Sequence, residues 1–297
     1  MRLRSLLFVP GDSEKKFVKA TTIGADGLIL DLEDAVAASQ KEAARRFVGD
    51  LLADDAPRDW AFWVRINALD TGLALRDLAA VVRPGLAGIL VPKANGAADL
   101  LRIGHYLEAL EAQAGMSAGT VKMLVVATET PQAMFNLGTY APSHPRLAGL
   151  TWGAEDLAAA IGAASNKEMD GEWAFPYRIA RSMCLFAAAA ADVAAIETLY
   201  ADFRDSEGLA ENCRRARRDG FTGRIAIHPG QVATINACFT PAEEDIAQAR
   251  TIIAAFAAAP DQGTVGIGGK MYDIPHLKLA RRILAAAEAD RSSGRSP

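Results

Sequence analysis

The sequence predicts an α/β fold, a (β/α)₈ barrel followed by a C-terminal helical extension. Three observations predict it. Short apolar runs alternate with helical segments, eight of them in the first ~240 of 297 residues, the count and length of such a barrel. The runs are nearly continuous in Val, Ile and Leu, as in parallel strands buried on both faces. Several end in a charged residue, and a charge inside a sheet core is costly, so these charges belong where strands emerge. A doubly wound open sheet is the competing fold, but no GxGxxG follows the first strand.

Residues 6–10 form the first expected strand, and 14–23 a helix ended by Gly24. Residues 27–34 are the second strand, with an acidic end. A helix over 39–52 has Ser39 as N-cap and Glu42 three residues on, a capping-box pattern. Residues 61–67 are the third strand, and 73–82 a helix stopped by Pro84-Gly85. Residues 88–93 are the fourth strand, followed by a long helix over 97–114. Residues 122–129 and 149–153 are strands five and six. An alanine-rich helix covers 175–191. Residues 194–197 are a weak seventh strand, 207–219 a helix and 223–229 the eighth strand.

The last sixty or so residues add to a barrel already complete. The division expected is 1–239 for the catalytic barrel and 240–297 for the extension. Thr240-Pro241-Ala242-Glu243-Glu244 is a helix start, with a Thr N-cap, Pro at the first position and acids in the first turn. That helix runs to about 259, a glycine-rich loop covers 263–269, and a final helix ends near 289. The tail 291–297 is polar and expected to be disordered. Two helices joined by a glycine-rich hinge suit a lid or a swapped arm, or equally a structural appendage.

Composition narrows the function. Apolar residues make up 51%, ample for a core, and the formal net charge is −4. The longest basic run, Arg214-Arg215-Ala216-Arg217-Arg218, reads as a solvated helix face, so nucleic acid is not expected as a partner. Cys184, Cys213 and Cys238 are far apart and form no CxxC, which suits a reducing cytoplasm. The alanine runs fall far short of the ~20 residues of a membrane span, so no membrane is expected either.

In a barrel of this kind every strand C-terminus opens on one face, where catalytic groups gather. Those ends supply Asp31, Glu33 and Asp34, then Arg65 and Asn67, Lys93, Glu129, Glu155 and Asp156, Glu197 and His228. Glu129 and Asp156 arise from neighbouring strands. Two carboxylates with few histidines nearby suit a hard cation such as Mg²⁺, which keeps several waters. Zinc would want more His or Cys. The alternative is a pair of salt bridges to Arg65 and Lys93. Arg65 could clamp a carboxylate, stabilise an enolate or serve as an ion-pair partner. His228 is a base or, more ordinarily, a hydrogen-bonding prop.

The chain resembles the citrate lyase β-subunit-like family, the CoA-ester lyase branch of the HpcH/HpaI aldolase superfamily. The resemblance rests on eight short motifs in order. They include Arg4-Ser5-Leu6-Leu7-Phe8-Val9-Pro10-Gly11, Leu30-Asp31-Leu32-Glu33-Asp34, Val64-Arg65-Ile66-Asn67, Gly153-Ala154-Glu155-Asp156-Leu157 and Gly269-Lys270-Met271-Tyr272-Asp273. It implies a TIM barrel with a C-terminal extension, assembled as a trimer or hexamer. It implies Glu129 and Asp156 as Mg²⁺ ligands (Mn²⁺ being possible), Glu33 and Asp34 as supports, and Arg65 as the group facing substrate and enolate. Arg4, Lys15 and Lys19 would approach CoA, and Asp273 would reach a neighbouring protomer's site.

The implied reaction cleaves a 3-hydroxyacyl-CoA thioester, such as malyl-CoA or citramalyl-CoA, to a 2-oxo acid and acetyl-CoA. Condensation and thioester hydrolysis are variants of it. Two alternatives stand beside it. One is a citrate lyase β subunit acting on a carrier-protein thioester within a complex. The other is a CoA-independent 2-oxo-acid aldolase, disfavoured because relatives of that kind place a His where this chain reads Glu33-Asp34-Ala35.

Overall fold

The structure is a computed structural model and describes residues 2–53 and 58–292. These fall into two compact units, Leu3–Asn236 and the segment from Ala237 onward together with Arg2.

The first unit is a closed eight-stranded parallel barrel in which each strand pairs with the next and β8 closes onto β1. In chain order it runs β1 (Ser5–Pro10), α1 (Glu14–Ala20), β2 (Gly27–Asp31), α2 (Lys41–Ala53), β3 (Ala61–Arg65), α3 (Ala74–Val81), β4 (Gly88–Val91) and α4 (Ala97–Gln113). It continues with β5 (Lys122–Val126), α5 (Pro131–Asn136), β6 (Leu147–Thr151), α6 (Glu155–Ile161), α7 (Phe175–Ala190), β7 (Ala194–Glu197), α8 (Ser206–Asp219), β8 (Gly223–Ala226) and α9 (Val232–Phe239). α9 runs across the boundary between the units.

Alternate strand residues point inward. Leu6, Ile29, Trp63, Leu90, Leu124, Val126, Ile196 and Ile225 fill the barrel as one apolar cluster. Trp63 is fully buried and sets a constraint on its neighbour: a Cβ on Gly88 would lie 2.3 Å from its ring. Only glycine fits there. The β8–β1 seam is equally tight, since a Cβ on Gly223 would lie 1.8 Å from the Leu3 carbonyl.

Strands three, five and eight stop sooner than the apolar runs suggest, at Arg65, Val126 and Ala226. Asn67, Glu129 and Pro229 therefore sit in the connections above the barrel, and Gly153 lies beyond β6, which ends at Thr151. The expected cap at Ser39 is replaced by a 3₁₀ turn over Ala38–Gln40, with Glu42 turned instead to Arg45 Nη1 at 2.5 Å. No helix among the described residues is long and apolar enough to cross a membrane.

The second unit comprises α10 (Glu243–Ala258), β9 (Thr264–Ile267), β10 (Lys270–Asp273) and α11 (Ile274–Ser292). α10 starts after Ala242, not at Thr240, and no side chain caps it. The glycine-rich stretch is a hairpin, not a loop. β9 and β10 pair antiparallel, with Gly268 and Gly269 both at positive φ between Ile267 and Lys270. Two left-handed central residues are what a tight hairpin turn demands. Ala249, Ile252, Phe256, Val265, Leu277 and Ala280 form the unit's own core. α11 extends past the expected end near 289, and the remainder of the expected tail, 293–297, lies outside the described residues.

Candidate active site

The site is built from the C-terminal ends of β2 to β6. Asp31 and Arg65 are the last residues of β2 and β3 and are partners in the parallel register. The register carries them side by side, and they form a two-pronged ion pair. Arg65 Nε and Nη2 each donate to an Asp31 oxygen at 2.7 Å. Asp31 also accepts from the backbone N–H groups of Glu33 (2.8 Å) and Ala35 (2.9 Å). The acidic turn after β2 is thus wound around the Asp31 carboxylate. Lys41 Nζ holds the same turn from outside, donating to the Leu32 and Glu33 carbonyls at 2.7 and 2.6 Å. Asn67 adds a third tie, donating to the Leu32 carbonyl at 3.0 Å and to buried Asp77 at 2.7 Å.

Arg65 is thereby fixed in place. Its guanidinium lies 4.7 Å over the Phe8 ring, and Nη1 is 3.1 Å from Glu33 Oε2. Burial opposes its charge, but the Asp31 hydrogen bonds and the charges of Asp31 and Glu33 prevail and raise its pKa further. It is a permanent cation.

Lys93 stands at the centre of the acidic groups. It follows Val91-Pro92 with φ of 50°, a left-handed conformation that costs a non-glycine residue ~1 kcal/mol or more. That twist points its backbone N–H at Glu129 Oε2, 2.6 Å away. Its ammonium meets Glu33 Oε1 at 2.6 Å, Asp156 Oδ1 at 3.4 Å and Asp34 Oδ2 at 3.5 Å. Burial opposes this charge too, but Glu33, Asp156 and Asp34 raise its pKa.

Glu129 lies just before the start of α5. Thr130 caps that helix by accepting from the Ala133 N–H at 3.0 Å, and Pro131 occupies its first turn. The cap fixes the backbone beside Glu129. Its side chain is 6% exposed, and burial, then the charges of Asp156 and Glu33, push its pKa up to about 8 against the pull of Lys93. Burial also raises Glu33, against Arg65 and Lys93. Asp156 is in the first turn of α6 and half-exposed. Gly153 leaves room for Glu129, because a Cβ there would lie 2.9 Å from its Cγ.

Asp31, Glu33, Asp34, Glu129 and Asp156 face Arg65 and Lys93, so the fully ionised cluster carries a formal charge of −3. Among the described residues no three His, Cys, Asp or Glu side chains converge as a ready metal cage. The donor set still fits an oxygen-seeking divalent ion. Glu129 is a carboxyl whose ionisation is suppressed first by burial and then by the charges of Asp156 and Glu33, and Mg²⁺ takes one or two carboxylates and keeps its waters.

The structure gathers Arg65, Glu33, Asp34, Glu129 and Asp156 around Lys93. It does not bring Arg4 to them. Arg4 precedes β1 and so lies at the other end of the barrel, where its guanidinium and backbone N–H bind Asp26 at 2.9–3.0 Å. Arg4 is the residue that the resemblance expects to approach CoA, and in this structure its guanidinium is engaged by Asp26. Lys15 and Lys19 are exposed on α1, whose start adjoins the rim.

Asp273 ends β10 in the second unit, with Oδ1 2.5 Å from His276 Nδ1. Glu197 is a buried structural acid that accepts from Trp152 Nε1 at 2.5 Å and Arg181 Nε at 2.7 Å. His228 is a prop, stacked on Phe203 at 4.8 Å and accepting from the Gly230 N–H. A separate cavity of about 580 Å³ lies between α7 and α8, lined by Trp173, Arg181, Tyr200 and Arg215 and by none of Arg65, Lys93, Glu129 or Asp156. Sequence reasoning missed two contributions. Asp31 was one acid among three, with only strand register to distinguish it. Lys93 was visible only as a charged strand end.

Residues 4–229 match the model of the HpcH/HpaI aldolase/citrate lyase family. A (3S)-malyl-CoA thioesterase of Cereibacter sphaeroides is 36% identical over 290 residues, covering 96% of this chain and 95% of the relative. Citrate lyase subunit beta of Haemophilus influenzae is 33% identical over 288 residues, covering 96% and 97%. The crystal structure of protein CitE from Mycobacterium tuberculosis, in complex with magnesium, acetoacetate and coenzyme A, superposes with a TM-score of 0.75. It is 33% identical, with 97% and 98% of the two chains covered.

Proposed function

The chain belongs to the HpcH/HpaI aldolase/citrate lyase family of enzymes, and from that premise we propose a Mg²⁺-dependent carbon–carbon lyase acting on a 3-hydroxyacyl-CoA thioester. The products are a 2-oxo acid and acetyl-CoA. The observation that supports this reading is the acidic rim itself: Glu129 and Asp156 both meet Lys93, and Glu33 links Lys93 to an arginine that Asp31 holds in a two-pronged pair. Magnesium and coenzyme A occur together in the M. tuberculosis neighbour, which adds support.

When bound by Glu129 and Asp156, the metal supplies a Lewis acid for the substrate's oxygens. Glu33 and Asp34 would support a metal held there, and both are oriented by Lys93 Nζ, at 2.6 and 3.5 Å. As the carbon–carbon bond breaks, its electron pair passes into the thioester as an enolate. Arg65, already charged and immobile, stabilises that oxygen without reorganising. Asp273 moves a proton between the hydroxyl and the freed carbon, in the active site of a neighbouring protomer of a trimer or hexamer. Lys15 and Lys19 meet the CoA phosphates. A cytoplasmic location completes the reading.

Hydrolysis of the thioester after cleavage or condensation is a second outcome, favoured by the likeness to a malyl-CoA thioesterase. Dependence on a carrier protein is a third, favoured by the likeness to citrate lyase beta subunits. A panel of CoA thioesters incubated with the purified protein and Mg²⁺, with products read by mass spectrometry, separates them. Asp156→Ala is expected to abolish Mg²⁺-dependent turnover. Full activity in that variant removes the metal assignment, and cleavage of carrier-protein thioesters alone removes the CoA substrate.

A further inference from the structure

Asp273 does not stand alone. His276, one turn into α11, returns to it. The imidazole Nδ1 lies 2.5 Å from Asp273 Oδ1 and 3.2 Å from the Asp273 backbone nitrogen, and the His276 backbone N–H reaches the same oxygen at 3.4 Å; with Nδ1 protonated the ring donates to Oδ1. Oδ2 makes neither contact. The ring is held in turn: Tyr272 meets it edge-on at 5.3 Å and 78°, and Gln248 Nε2 of α10 donates to the Tyr272 hydroxyl at 3.2 Å. Across the hairpin, Asp273 faces Thr264, an uncharged partner. The charged or titratable group acting on Asp273 is therefore His276. Its side-chain hydrogen bond holds the Asp273 carboxyl below the usual carboxylate range.

We propose that His276 is the positioning residue for Asp273, clamping Oδ1 so that the aspartate enters the cycle as a carboxylate with Oδ2 as its proton-carrying atom. This rests on the reading of Asp273 as the proton carrier. It assigns that carrier a starting state. The carboxylate first takes the hydroxyl proton, the carbon–carbon bond breaks, and the resulting carboxylic acid delivers the same proton to the enolate carbon. No proton is gained or lost overall. An acid already neutral at the outset could perform only the second transfer. In condensation the same carboxylate begins by removing a proton from the acetyl methyl group. The arrangement is that of an aspartate–histidine pair with the roles exchanged: here the imidazole orients the carboxylate.

The test is the pH dependence of kcat and kcat/KM for wild type, Asp273→Asn, His276→Ala and His276→Asn, each checked for unchanged circular dichroism. Asp273→Asn is expected to lose about 10²–10⁴-fold in kcat, the span of general acid–base catalysis. His276→Ala should lose a smaller factor, about tenfold, and its acidic limb should move to higher pH, because the carboxylate loses the donor that kept it ionised. His276→Asn replaces that donor with an amide N–H and should return the limb toward wild type. If Asp273→Asn is inactive while the His276→Ala profile superimposes on wild type, His276 has no positioning role. If Asp273→Asn retains full activity, Asp273 is not the proton carrier and both proposals fall together.

Discussion

Glu129 should make the metal-free protein lose stability as pH rises. Its carboxyl is 6% exposed and its pKa is pushed from 4.5 to about 8 by burial and by Asp156 and Glu33. Between those values the folded protein keeps a proton that the unfolded chain has released. Stability from this group is full below about pH 4.5 and gone above about pH 8. At ~1.36 kcal/mol per pH unit, the gap sets a ceiling near ~5 kcal/mol. Water entry and movement of Lys93 will trim it, so ~3–5 kcal/mol is the expected range. Glu129→Gln is neutral at every pH and should lack this slope. The assay is urea unfolding of both proteins from pH 5 to 9 in EDTA, followed by fluorescence of the buried tryptophans. Near pH 5 the two should match, and near pH 9 the variant should be the more stable. Adding Mg²⁺ should restore the wild type alone, because a ligand that binds only the folded state stabilises it by mass action. Parallel pH profiles for the two proteins would refute the assignment of Glu129 as a buried carboxyl poised by its neighbours.

Asp31→Asn should destabilise the barrel by ~3 kcal/mol, since it removes the buried partner of Arg65 and places an amide donor against donors, while Glu33 remains as partial compensation. Urea midpoints measure it, and a loss under ~1 kcal/mol would mean the pair is not the organising contact. Gly153→Ala should displace Glu129, because the added methyl carbon would lie 2.9 Å from Cγ and 3.3 Å from Oε1. Calorimetry should show Mg²⁺ affinity falling about tenfold, as for loss of a contact that orients a ligand. Unchanged affinity would separate Gly153 from the metal site.

The barrel is legible in the sequence because parallel strands buried on both faces leave runs such as Leu28-Ile29-Leu30 and Leu124-Val125-Val126 that nothing else in the chain imitates. The same feature blurs where strands stop. Ala127 and Thr128 are as buried as the strand before them, so Glu129 reads as a strand end when it is a loop residue. Arg4 shows a different limit. Its expected approach to CoA comes from the resemblance alone, and nothing local announces its partner Asp26, 22 residues away. Lys93 was opaque because its role depends on a left-handed backbone that glycine and asparagine, not lysine, advertise. The hairpin in the second unit was hidden by its own turn, since Gly268 and Gly269 signal a loop as readily as a reversal.

The closure of β8 onto β1 has a consequence for how the protein is made. The strands are joined by Ser5↔Arg224, Leu6↔Ile225 and Leu7↔Ala226, so the first strand waits for the last. During translation at ~5–20 residues per second, roughly 10–45 s separate the synthesis of β1 from that of β8. Throughout that interval the nascent sheet has an open edge on β1, a surface on which unpaired N–H and C=O groups can recruit a second chain. Closure is then a contact between the most distant parts of the barrel, the kind that slows folding. That edge stays unpaired until Gly223 comes beneath the Leu3 carbonyl and seals the ring.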